Sequence, residues 1–184
     1  NLMAIPVVYL LTKSLLKKET SALLATAFWT LCLPSYKWLI MGGGVTRSLA
    51  YTASFASLYF FIYSLETSKK KHLLFAILLG GITGLSHLEI FWVLCLSIFV
   101  LWIYYKKTPL PLAIRDIAIF YLGCILVMSP YLITVFSYHG VSPFLAGLGT
   151  GGFDMIKQVF NLILFNFTEE FVFTGIAALA LIGF

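Results

Sequence analysis

MGGGVTRSLAYTASFASLYFFIYSLETSKKK, residues 41–71, holds in order the three parts that decide the fold. A glycine corner at Gly42, Gly43 and Gly44 closes with Thr46 and Arg47. An apolar run follows over residues 48–65, and then come Lys69, Lys70 and Lys71. A helix rises about 1.5 Å per residue, so a run of about eighteen residues reaches roughly 27 Å, close to a hydrocarbon core of about 30 Å. A polar corner, a spanning run and a basic end together read as a helix that crosses a bilayer toward its cytoplasmic side.

The rest of the chain repeats that order. Of 184 residues, 61% are hydrophobic and only 10% charged, where a soluble domain carries about a quarter charged residues. So little charge cannot cover the surface of a soluble core of this size. Aromatics make up 17%, as expected where Trp and Tyr anchor helices at headgroup level. The net charge of +5 does not indicate nucleic acid, because no basic stripe interleaved with aromatics exists. Cys32, Cys95 and Cys124 each lie inside an apolar run without metal-ligand spacing. They read as buried hydrophobes and leave the redox compartment open. The chain begins at Asn1 and ends at Phe184 inside an apolar run, so a piece of a larger protein, cut at both ends, is expected.

Working outward, residues 2–16 are the tail of a span that ends in Lys13, Lys17 and Lys18. Thr20 or Ser21 is placed to cap the next helix, whose apolar stretch covers residues 22–33 before Pro34 and the anchor Tyr36-Lys37-Trp38. That is roughly 20 Å of helix, so it either kinks through Pro34 or stops short of the far surface. Residues 73–86 return from the lysines over about 21 Å, and residues 90–105 run back to Lys106 and Lys107. A loop with Pro109, Pro111 and Arg115 leads to a span over 117–136, and a long outer loop occupies 137–153. Residues 156–167 read as an interfacial helix, with Glu169 and Glu170 opening a last span over 171–184. A single span over 156–184 would hold both Glu near mid-membrane at about 2.5–3.5 kcal/mol each. Lys13, Lys17, Lys18, Lys69, Lys70, Lys71, Lys106, Lys107 and Arg115 fall on one side, nine of the twelve Lys and Arg. That bias marks the side as cytoplasmic. The expected fold class is all-α: a polytopic transmembrane helical bundle with short outer-face helices and an interfacial helix. It forms a single transmembrane domain over 1–184 with about six to seven membrane helices.

Two outer corners then carry the candidate chemistry. Gly42 to Arg47 lacks the Lys-Ser/Thr and the preceding strand of a phosphate loop. One reading is a flexible turn with an arginine at the headgroups. The other brings backbone N–H groups, a helix N-terminus and the Arg47 guanidinium to one spot, which suits a phosphate. An arginine on the outer side runs against the charge bias and asks for a reason. His87-Leu88-Glu89 ends a short helix. Either its side chains meet water at a hairpin turn or they line a recess below the headgroups. A His beside a Glu can relay a proton or hold a phosphate or hydroxyl. Gly80 and Gly84 have the spacing of a close helix contact. The glycine-rich run 147–152 reads as a connector, with His139 and Asp154 solvated in the same loop, and Asn166-Phe167-Thr168 is a short sequon match.

A short outward helix, the Gly-Gly-Gly-Val-Thr-Arg corner, a Tyr- and Phe-rich span, a basic turn and a second outward helix ending Gly-Leu-Ser-His-Leu-Glu occur here in that order. Over residues 22–105 this resembles the middle of a membrane glycosyltransferase of the GT-C superfamily, of the protein mannosyltransferase and aminoarabinose transferase kind. Leu88 departs from the proline that similar His-x-Glu corners often carry. The resemblance implies transfer of a sugar from a polyprenyl-phosphate-linked donor to an acceptor on the extracytoplasmic face of a prokaryotic plasma membrane. Arg47 would contact the donor phosphate, and His87, Glu89, Gly43, Gly44 and Thr46 would complete the substrate-binding set. The acidic catalytic residue would lie before Asn1, so this piece alone is expected to be inactive. No metal ligands are assigned and no cofactor is firmly implied, although a divalent metal fits some members. Expected partners are the polyprenyl-phosphate sugar donor and membrane lipids, with no nucleic acid. The rival readings are a transporter or lipid flippase with the same outer recess, which should show inverted repeats, and an anchoring or assembly module.

Overall fold

The computed structural model describes residues 2–31, 44–105, 110–143 and 145. Six helices carry them: α1 (Ala4–Leu16), α2 (Glu19–Leu31), α3 (Gly44–Thr67), α4 (Lys70–Ser86), α5 (Leu88–Tyr105) and α6 (Leu110–His139). No strand occurs among the described residues, so the all-helical expectation holds for them. Two segments, Val45–Thr67 in α3 and Ile114–His139 in α6, are long and apolar enough to cross a membrane; Ala4–Leu16 and Leu88–Ile103 are shorter apolar helices. The chain divides into two compact units, Asn1–Ile133 and Thr134–Phe184.

In the first unit α3 is the central helix, packed against α1, α4 and α5. The core gathers Phe61 from α3, Ala76 and Ile77 from α4, Phe91, Leu94, Ile98 and Trp102 from α5, and Ile117, Phe120, Cys124 and Met128 from α6. Helices α4 and α6 meet through small residues. A Cβ on Gly80 would stand 2.7 Å from the Cys124 sulfur, and one on Gly123 would stand 2.7 Å from Ile77 Cγ2. At Gly81 and Gly84 it would run into Val127 and Met128. The glycine spacing therefore does what the sequence implies: it lets two backbones approach closely. Hydroxyls add cross-ties. Ser57 donates to the Ala76 carbonyl at 2.8 Å, Tyr121 to the Cys95 carbonyl at 2.9 Å, and Thr12 and Thr26 share a bond of 3.2 Å between α1 and α2.

Several boundaries differ from the sequence reading, each for a local reason. Helix α2 opens on Glu19, whose carboxylate suits a positive helix end, so Thr20 and Ser21 lie inside it rather than capping it. Helix α3 starts at Gly44, which puts Val45, Thr46 and Arg47 in its first turn rather than in a loop. Helix α4 takes in Lys70, Lys71 and His72 and reaches 17 residues. Helix α6 begins at Leu110, with Pro111 in the first turn, where a missing N–H does no harm. It then continues through Pro130 to His139. Pro130 cannot donate to the carbonyl four residues back, but the Ser129 hydroxyl bonds that Leu126 carbonyl at 2.7 Å. Gly140, left-handed at φ 62, ends the helix with its N–H on the Phe136 carbonyl at 3.1 Å.

Expectations for Cys32, Pro34, Tyr36, Lys37, Trp38, Gly42, Gly43, Lys106, Lys107, the run 147–152, Asp154 and everything from 156 to 184 lie outside the described residues. That includes the interfacial helix, Glu169, Glu170 and the sequon.

Candidate functional site

The two corners meet. Arg47, in the first turn of α3, donates from Nε to Nε2 of His87 at 3.0 Å. His87 is the single residue between α4 and α5. Its backbone is extended (φ −159, ψ 107), its N–H caps α4 on the Thr83 carbonyl, and its carbonyl accepts the Phe91 N–H at 3.1 Å in the opening turn of α5. The imidazole is thus held by the ends of two helices, and the guanidinium by the start of a third.

In this bond Nε2 is the acceptor. Nδ1 is buried and has no hydrogen-bond partner among the described residues. Arg47 sits at a helix end that favours anions by about 0.3–1 kcal/mol, so its charge adds to the dipole instead of offsetting it. A guanidinium, the first turn of α3 and an imidazole come together at this corner. Such a corner can bind an oxyanion.

The other sequence-predicted residues take different places. Thr46 is exposed in the same first turn as Arg47, and Gly44 is the first residue of α3. Gly43 lies outside the described residues. Glu89 is exposed in the first turn of α5 and makes no ion pair among the described residues. It complements the α5 dipole, and among the described residues no ion pair joins it to Arg47 or His87. No group of three or more His, Cys, Asp or Glu that could hold a metal exists among the described residues.

The opposite ends of the same helices carry the lysines. Lys17 pairs with Glu66 and Lys13 with Glu19 at 3.2 Å. The Tyr9 hydroxyl bonds Glu19 at 2.9 Å and, with the Lys13 ammonium, holds that carboxyl below the usual carboxylate range. His72 lies across Phe60, centroids 6.3 Å apart, and edge-on to Tyr63 at 4.6 Å. Removal from water lowers its pKa from the ordinary 6.5, and Lys71 and Lys69 lower it further. The Lys17–Glu66 pair joins residues 49 apart in sequence. The signal for it was opposite charge at one expected helix end.

Comparison of the chain with protein-family models, with characterised proteins and with solved structures gives no match.

Proposed function

We propose that the chain is part of a multi-pass membrane protein in which the Arg47–His87 corner receives the phosphate of a lipid-linked sugar donor. On this reading the protein is a glycosyltransferase of the GT-C kind. The lysine ends of α1, α3 and α4 face the cytoplasm and the corner faces the other side. The hydrogen bond between Arg47 and His87 carries the proposal: it sets a guanidinium at a helix N-terminus, beside the junction of two more helices, in a chain otherwise poor in charge.

The outward faces support the membrane part. Trp92, Val93, Leu96, Val100 and Ile103 of α5, and Leu122 and Leu126 of α6, are large apolar side chains with much of their surface exposed. Water disfavours such continuous faces and hydrocarbon accepts them. In transfer from a phosphate-linked donor the leaving group is an anion, and a fixed guanidinium stabilises the charge it gains. Arg47 would fill that role. His87 would act as a positioning residue, setting the plane of the guanidinium through Nε.

The test is donor turnover by the full-length protein in lipid nanodiscs, with a polyprenyl-phosphate sugar as the probe. Arg47→Ala should lower turnover about a hundredfold, the scale of one lost charge-assisted contact of about 3 kcal/mol. His87→Ala should lower it about tenfold, and His87→Gln, which keeps an acceptor, should recover much of that loss. Undiminished turnover in Arg47→Ala ends the phosphate role. Donor movement across the bilayer without sugar transfer would make the protein a transporter instead.

A further inference from the structure

The lysine end carries more positive charge than its own acids offset. Helix α1 passes to α2 through Lys17, a left-handed residue at φ 57, and α3 passes to α4 through Ser68 at φ 55. Lys17 reaches from the first turn to Glu66 beside the second, so both turns lie at one surface. The acids there are taken, Glu66 by Lys17 and Glu19 by Lys13 and Tyr9. Lys18, Lys69, Lys70 and Lys71 are exposed and make no ion pair among the described residues.

Helix α4 sharpens the imbalance. Its N-cap, Lys69, makes no side-chain cap bond, and its first turn contains no acid. Three consecutive lysines thus sit on a helix end that is itself positive, where Asp, Glu, Ser or Thr would be the stabilising choice. Directly beneath lies an aromatic shelf: His72 against Phe60 and Tyr63, and Phe75 against Phe60 at 5.4 Å. Nδ1 of His72 is buried within it without a hydrogen-bond partner among the described residues.

We propose that this end is a contact surface for anionic phospholipid: the phosphodiester lies across the Ser68–Lys71 turn with Lys18 beside it, and the glycerol and upper acyl region rest on the Phe60, Tyr63 and Phe75 rings. A charged layer directly above an aromatic layer matches the order of a phospholipid from headgroup to chain. A free anion would use only the upper layer. The inference rests on the membrane reading above and is independent of the sugar-transfer reading.

Spin-labelled phosphatidylglycerol and phosphatidylcholine, each added to the full-length protein in phosphatidylcholine bilayers, test it through the motionally restricted lipid fraction. The wild type should favour phosphatidylglycerol at least about threefold, and about half-molar salt should erode that preference as the screening length falls to roughly 4 Å. Combined Lys18→Gln, Lys69→Gln, Lys70→Gln and Lys71→Gln substitution should abolish it; the four corresponding Lys→Arg substitutions should keep it. Equal restriction of both lipids in the wild type, or a preference unchanged by the Gln substitutions, overturns the proposal and leaves the membrane reading standing. No restricted fraction for either lipid overturns both. If the Gln variant does not incorporate, the wild-type salt titration and the Arg variant still decide, because a salt-insensitive preference or its loss in the Arg variant also overturns the proposal.

Discussion

The two ends of α4 are held by different means. Toward His87 the helix is gripped by contact: Gly80, Gly81 and Gly84 press onto Cys124, Val127 and Met128 with no room for a methyl group. Toward Lys70 the neighbouring turns are tied by the Lys17–Glu66 ion pair and the stacked rings around His72. Close packing fixes position to a fraction of an ångström and yields poorly. Long charged side chains in water hold loosely and adapt. A rigid end suits a corner in which one hydrogen bond must keep its geometry, and an adaptable end suits a surface that meets many headgroups.

The contrast can be broken at either end. The largest effect is expected at the seam: Gly81→Ala should destabilise the reconstituted protein by about 1–3 kcal/mol through overpacking against Val127. Its denaturant unfolding midpoint would fall, and the added Val127→Ala substitution would restore much of the loss. At the other end, a double-mutant cycle with Lys17→Gln and Glu66→Gln should give a coupling of only about 0.2–1 kcal/mol, falling with salt. A cycle energy equal to the Gly81 effect would erase the distinction. The smallest effect belongs to His72. Because burial and the neighbouring lysines favour its neutral form, NMR titration should place its midpoint below the ordinary 6.5. With the folded value depressed, its contribution to stability is present above the unfolded value and is lost as pH falls through the folded one. His72→Phe should flatten that part of the stability profile.

Much of the fold was legible in the sequence because hydropathy and charge act locally. The apolar runs, the lysine ends and the Gly80 and Gly84 seam follow from composition and spacing. Boundaries were harder. Nothing local distinguishes Gly44 as the start of a helix from Gly44 as the end of a turn, and the stretch with Pro111 and Arg115 read as a loop although the helix already begins at Leu110. For the site, the charge count put Arg47 and His87 on the same expected side, at the start of one helix and the end of the next. The bond between them depends on the rotation of α3 against α4, which the core around Phe61, Ala76 and Ile77 sets. Glu89 shows the limit of sequence proximity: two positions from His87 it faces outward, because the new helix starts between them.

The Ser129 hydroxyl has a bearing on biogenesis. A helix interrupted by proline ordinarily exposes a carbonyl that only water or an adjoining helix can satisfy. Helix α6 carries the donor one residue before the interruption, so the repair is complete within its own chain. On the membrane reading, α6 can rest in lipid with that carbonyl satisfied before it packs against α4. The glycine seam then has only to dock a finished helix.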